Sequence, residues 1–352
     1  MGENKLTLNI THRKIIDAII KKSEIVCPGS LALIGVYGSA CTGDLHEKSD
    51  LDLLILINDD AGWQLARGFI LDDTLIGYDI YCTSWEMLAE EAECRHAHLA
   101  KLMDSEIVYA ADGGAALKLA RLREKAKAVL QAQTRLERVD KIVENAKKVY
   151  AEAMLSETIS DLRFHGACCI NLLLDAVMLE NGKYFRRGVK RTFQELEGLC
   201  LPGGFAEHIY AVALAPEMQQ LRQSLTELMR AVTVFTMRTN AKEPPSERNI
   251  AGTYEEMFSN WRNKMTEAAG KKDAFSSFMN LASLQYMINE IAEGVFIERI
   301  SVMDSYDPAD LEGNVRAFDN GLKQYLEEYE KAGISPRHYK DVEEFISSYL
   351  QV

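Results

Sequence analysis

Two carboxylates on one face of an otherwise apolar strand constrain this chain more than any other feature. The run Leu31-Ala32-Leu33-Ile34-Gly35-Val36-Tyr37 reads as a strand and leads straight into Gly38-Ser39. Ten residues on, Asp50-Leu51-Asp52 opens a second apolar run that ends at Ile57. Side chains at i and i+2 of a strand face the same way, so Asp50 and Asp52 share one face and Leu51 and Leu53 the other. A third strand, Leu75 to Cys82, holds Asp79. If that strand lies beside the second, three acids converge. Two unit charges about 4 Å apart repel by roughly 4 kcal/mol at an effective dielectric near 20. Such a site requires a cation.

The surrounding sequence predicts an α/β domain over residues 1–115 with a small mixed sheet. Thr11 is placed to cap a helix carrying Ile15, Ile16, Ile19 and Ile20. Glu106 to Ala110 reads as a short fourth strand, with helices near 61–70 and 84–95. Beyond residue 115 helical spacing takes over, and the expected class is α/β plus all-α. Residues 116–241 read as a helical bundle: one long charged helix or two over 116–155, an apolar helix over 157–181, and more helix over 205–238. Thr239-Asn240-Ala241-Lys242-Glu243-Pro244-Pro245 is the expected linker to a C-terminal helical region, 246–352. There Thr253 to Glu256 fits a capping box. Met257, Trp261 and Met265 follow at four-residue spacing, and Ser335-Pro336 is placed to start a last helix.

Composition removes several function classes. Lys+Arg 40 against Asp+Glu 53 leaves a net charge of −13, which opposes polyanionic partners and disfavours a nucleic-acid protein. The seven cysteines form no C-x-x-C pair, which disfavours a zinc site and fits a reducing compartment. The N-terminus lacks an apolar signal core and no uncharged apolar run reaches membrane-spanning length, so the expectation is a cytoplasmic protein with no membrane partner.

Within the acidic site all candidate ligands are oxygen donors, which suits Mg²⁺ or Mn²⁺. Mg²⁺ usually completes its shell with water and substrate phosphates. Gly38 permits a sharp turn off the strand, and Ser39 opens a helix whose free N–H groups favour an anion. Lys48 is near enough to meet a phosphate. Lys183, Arg186, Arg187, Lys190 and Arg191 gather five basic residues into nine positions of an acidic protein, an electrostatic partner for a triphosphate tail or a solvated loop. Asp44, Glu47 and Asp59 read as exposed loop acids. Cys41 has His46 nearby in sequence, but a nucleophilic pair explains the loop less well than a metal does. His96 and His98 lie in a segment that reads as helical, and are expected on its surface.

Apolar strand, Gly-Ser, about ten residues, Asp-x-Asp and a later strand acid together resemble the signature of the nucleotidyltransferase superfamily that includes DNA polymerase β. The resemblance covers about residues 25–112, through Gly38, Ser39, Asp50, Asp52 and Asp79. It implies a polymerase-β-like domain that moves a nucleoside monophosphate, expected to be AMP from ATP, to a hydroxyl with release of pyrophosphate. Two Mg²⁺ ions are implied, with Mn²⁺ as a substitute. Asp50 and Asp52 would bind both, and Asp79 would bind the one near the attacking hydroxyl. The layout is similar to the kanamycin and lincosamide nucleotidyltransferases, whose second domain is a helical bundle related to the HEPN type. That similarity implies a small, aminoglycoside-like acceptor and is compatible with a homodimer. A base from the helical region would be sought among Glu144, Glu152 and Glu180. Arg163 and His165 are too close together for the HEPN ribonuclease motif. A protein or RNA acceptor, and a non-catalytic nucleotide sensor or antitoxin-like partner, stand as the alternatives.

Overall fold

The computed structural model describes residues 6–238 and 241–350. The chain divides into two compact units, residues 1–237 and 238–352. Two residues of the expected linker, Thr239 and Asn240, lie outside the described residues.

The first unit begins with α1 (Ile10–Val26), β1 (Leu31–Val36), α2 (Ser39–Thr42) and β2 (Leu53–Ile57). After these come β3 (Arg67–Leu71), β4 (Ile76–Ile80), β5 (Cys82–Ser84), α3 (Trp85–Glu91), α4 (Ala100–Met103) and β6 (Glu106–Ala110). Helices complete it: α5 (Gly113–Gln131), α6 (Arg135–Leu155), α7 (Ile159–Glu180), α8 (Thr192–Leu196), α9 (Phe205–Leu214) and α10 (Met218–Thr236). The sheet is mixed, as expected, with strand order β5-β2-β1-β6. β1 is antiparallel to β2 and β6, and β2 is parallel to β5. β3 and β4 pair apart from it as a two-stranded antiparallel ribbon.

Every residue of β1 and β2 is buried, because both faces of the sheet are covered. Leu53, Ile55 and Ile57 pack with Ile34, Val36 and the α1 residues Ile16 and Ile19. Leu54 and Leu56 face the other way, into a core that continues through Leu88, Leu119, Val139, Leu173 and Leu225. The boundary expected near residue 115 therefore falls inside one continuous core. α7 is long and apolar enough to cross a membrane, but it packs against α6, α9 and α10 and its apolar residues fill this core.

Several local expectations are corrected. Asn9, not Thr11, caps α1, accepting from the His12 N–H and so starting the helix sooner. Residues 61–70 are not a helix: a short 3-10 turn over Asp60–Leu65 gives way to β3, whose Phe69 stacks on Tyr78 of β4. Asp59 is an exposed loop acid, as expected, and it also caps the 3-10 turn by accepting from the Ala61 N–H and the Ser30 hydroxyl. The third strand breaks at Tyr81 into β4 and β5. The helix from residue 84 ends at Glu91, and His96 and His98 lie in a loop. Asp175 on α7 holds that loop by accepting from the Ala97 N–H.

The second unit contains α11 (Glu247–Ile250), α12 (Thr253–Met257), a π-helical turn over Phe258–Arg262, α13 (Asn263–Lys271), α14 (Ala274–Gly294), α15 (Leu311–Lys331) and α16 (Val342–Tyr349). Met257, Met265, Leu284, Phe318 and Tyr325 are among its core residues. The capping box is formed by Ser246 and Asn249 on α11. Thr253 instead donates its hydroxyl to Ile250 O, and Gly252 in the left-handed region precedes α12. The last helix starts at Asp341, whose side chain accepts from the Glu344 N–H, rather than at Ser335-Pro336.

Candidate functional site

β1 and β2 lie side by side, so the turn leaving one meets the segment entering the other. The Tyr37 N–H donates to Asp52 O at 3.1 Å and brings Gly38 against the Asp52 side chain. Gly38 has φ +67°, and a Cβ added there would fall 1.9 Å from Asp52 Oδ2. Only glycine provides both that backbone conformation and that space. The Ser39 N–H donates to the Asp52 carboxylate, so the first amide of α2 is directed at a side chain of the protein itself. Burial, reinforced by the Asp50 charge and opposed by the Ser39 N–H, raises the Asp52 carboxyl from 3.8 to about 6. Asp50 is exposed beside it.

Asp79 occupies a different position from its two partners. β2 and β5 are in register with Ile55 opposite Cys82, and carrying that register back three residues sets Asp79 opposite Asp52. β4 leaves the sheet before that point and pairs Asp79 with Gly68 of β3. Asp79 is exposed on the same strand face as Gly77; burial raises the hydroxyl of the half-buried Tyr37, and the charges of Asp52, Glu91, Asp50 and Asp79 raise it further. Among the described residues no three His, Cys, Asp or Glu side chains are gathered closely enough to hold a metal ion. Asp50 and Asp52 remain as two oxygen donors, the donor type that hard cations take. Asp79 is the third acid, one strand away.

Asp50 and Asp52 open onto a cavity of about 590 Å³ with three walls. The motif loop supplies Gly38, Ser39, Asp44 and Lys48, the β3–β4 turn supplies Leu75 to Gly77, and the basic segment supplies Arg187 to Arg191. Lys48 Nζ donates to Thr74 O at 2.7 Å and ties the first wall to the second. Asp44 ties the first to the third. Its carboxylate meets Arg187 Nε at 3.3 Å and Arg191 Nη2 at 3.2 Å, and accepts from the Thr42 hydroxyl at 3.0 Å. Asp44 is thus corrected from exposed loop acid to half-buried anchor. Only tertiary structure could reveal it, because its partners lie more than 140 residues away.

The basic segment is itself held against the stretch between α3 and β6. Arg186 and the Tyr184 hydroxyl both reach the Asp104 carboxylate, and Phe185 N–H donates to Ala97 O. This leaves Lys190 on the cavity wall outside the ion pairs formed by the described residues. Cys41 is buried and donates to Val36 O, and burial raises its thiol to about 11, so it is a neutral core group rather than a nucleophile. Glu144, Glu152 and Glu180 are not among the residues that line the cavity. Glu144 pairs with Lys147, and Glu152 lies beside His165.

Residues 12–95 match the family model of the nucleotidyltransferase domain. The α/β part with its small mixed sheet is a nucleotidyltransferase domain, followed by helices. No curated protein matches the chain. Among solved structures, a nucleotidyltransferase-like protein from Exiguobacterium sibiricum 255-15 aligns over 92% of this chain and 95% of its own, at 12% identity and a TM-score of 0.35.

Proposed function

We propose that the protein transfers a nucleoside monophosphate, AMP from ATP, to a hydroxyl of a small-molecule acceptor and releases pyrophosphate. One observation carries the reading: the Asp50–Asp52 pair and the cations Lys48, Arg187, Lys190 and Arg191 line one cavity. A triphosphate needs both, because its tail requires fixed positive charge and its reacting end requires carboxylates that hold a divalent ion. The cavity volume of about 590 Å³ suits a small-molecule site and is too small to enclose a macromolecule.

Asp50 and Asp52 would hold Mg²⁺, or Mn²⁺ in its place, with Asp79 as the third acid of the set. Bound there, the ion supplies charge neutralisation and Lewis-acid stabilisation of the phosphoryl oxygens. The chain's own residues do the rest. Gly38 and the Ser39 N–H fix Asp52 in one orientation. Arg187, Lys190 and Arg191 bind the departing pyrophosphate and stabilise the charge it develops. Asp79, or the Asp50 carboxylate, accepts the proton of the attacking hydroxyl.

The test is pyrophosphate release from each NTP with Mg²⁺ across pooled acceptors, including aminoglycosides, lincosamides, tRNA and a cell extract. The control is the Asp50→Asn/Asp52→Asn protein. Acceptor-dependent release that disappears in the control supports the proposal. The separation of Asp79 from its partners favours a second reading, a nucleotide-binding protein without transfer. That reading predicts NTP binding with no release from any pool.

A further inference from the structure

The second unit leaves two apolar surfaces open. The first is a groove of about 640 Å³ between α12, the π-helical turn and α14, lined by Trp261, Met279, Tyr286 and Met287 with Glu256 and Glu290 on its rim. Wide π turns inside helices occur often at functional sites. Here the turn carries Trp261 into the groove wall. Along α14, Met279 and Tyr286 are exposed, Tyr286 to 69%.

The second surface is α16. Every residue from Asp341 to Leu350 is exposed. Val342, Phe345, Ile346, Tyr349 and Leu350 recur at i, i+3, i+4, i+7 and i+8, which gathers them on one helix face, with Glu343 and Glu344 on the other. An eight-residue amphipathic helix is not stable by itself in water, so such a face calls for a partner. The segment leading into α16 contains Arg337, His338 and Lys340. The Arg337 N–H donates to Glu255 on α12, the neighbour of the rim residue Glu256.

We propose that two copies of this chain form a dimer by exchanging these C-terminal arms, each laying the apolar face of α16 into the α12–α14 groove of the other. The two surfaces complement each other in chemistry. An aromatic and aliphatic stripe meets an aromatic and methionine groove, and a basic approach segment meets an acidic rim. The contact is reciprocal, so it closes on itself as a two-fold dimer and does not propagate.

The test uses the full chain in sedimentation velocity across a concentration series. The wild type is expected to show a concentration-dependent monomer–dimer equilibrium. Phe345→Glu/Ile346→Glu in the arm and Met279→Glu/Tyr286→Glu in the groove should each raise the dissociation constant at least about tenfold, as expected for interface anchors. All four side chains are exposed in the single chain, so unchanged circular dichroism is expected and verifies the fold. Mixing the arm variant with the groove variant should give a heterodimer through the one intact contact, read by pull-down with different tags. Glu256→Lys/Glu290→Lys should weaken the dimer, and adding Arg337→Glu/Lys340→Glu should restore it. A wild type that stays monomeric at all concentrations, or a dimer indifferent to arm and groove substitutions, overturns the proposal. Failure of the mixed variants to associate overturns the exchange.

Discussion

Replacing Asp52 by Asn is expected to stabilise the metal-free protein. The folded state raises this carboxyl from 3.8 to about 6, through burial first and repulsion from Asp50 second. A raised acid means that the ionised form is penalised in the native state. The cost is fully present above about pH 6, diminishes as the carboxyl protonates, and is gone below its unfolded value of 3.8. A displacement of that size corresponds to roughly 3 kcal/mol, and relaxation and solvent screening reduce it to about 1–3 kcal/mol. Asparagine has nearly the same shape, keeps an oxygen for the Ser39 N–H and carries no charge. Urea unfolding in EDTA at about pH 7.5 should therefore show the variant more stable than the wild type by about 1–3 kcal/mol, with the difference shrinking toward about pH 4.5. Saturating Mg²⁺ should stabilise the wild type and leave the variant nearly unmoved, because binding to the native state adds to its stability. A variant less stable than the wild type at the higher pH, or a difference independent of pH, would refute the reasoning. Under the proposed function, the expectation links stability to activity: carboxylates gathered to hold a cation cost stability without it.

Further outcomes follow from the same geometry. Gly38→Ala places a methyl group against the Asp52 carboxylate and a side chain at φ +67°, so it should cost about 1–3 kcal/mol in urea unfolding and abolish nucleotidyl transfer. Asp44→Ala releases Arg187 and Arg191 from the motif loop, and should raise the KM for NTP about 5–10-fold with a smaller change in kcat in a steady-state pyrophosphate assay. Lys190→Ala should weaken NTP binding about tenfold and flatten its dependence on salt in fluorescence titrations. Asp79→Asn should lower kcat at least about a hundredfold while leaving NTP affinity within about twofold, and equal losses in both would assign Asp79 to ground-state binding.

The strands and the acids were legible because their signals are local. Period-two spacing predicts Asp50 and Asp52 on one strand face; β2 begins only at Leu53, so both precede the strand, yet both line the same cavity, and the continuous apolar runs identify β1 and β2. The ribbon strand β3 was not legible, since Phe69, Ile70 and Leu71 suit a strand or a helix and only pairing with β4 decides between them. Helix starts were displaced wherever two capping residues competed, as Asn9 and Thr11 do before α1. The basic segment was visible as a charge run, but whether it faced solvent or a site depended on Asp44, Asp104 and Ala97, all distant in sequence. Gly38 reads from sequence as a turn residue. Its second role, making room for the Asp52 carboxylate, is a property of two strands brought together.

The same distinction explains how this site is built. Its unfavourable features are concentrated in a few residues: a left-handed Gly38, a half-buried Asp52 that resists ionisation, and two arginines drawn to a single Asp44. None of these would hold on a freestanding sheet of this size. They hold because Leu33, Leu54 and Leu56 under the motif belong to the same core as Leu173 on α7 and Leu225 on α10. α7 also carries Asp175, which fixes the Ala97 loop, and the Ala97 carbonyl in turn accepts from Phe185 at the root of the basic segment. One helix thus supports the floor of the cavity by packing and its basic wall by hydrogen bonds. Asp50 and Asp52 and the basic segment from Arg187 to Arg191 lie more than 130 residues apart in sequence, yet the α/β part and the helices share one core. A preorganised arrangement of opposite charges is what stabilisation of a transferring phosphoryl group requires. The helices α5 to α10 therefore share the core on which the site stands.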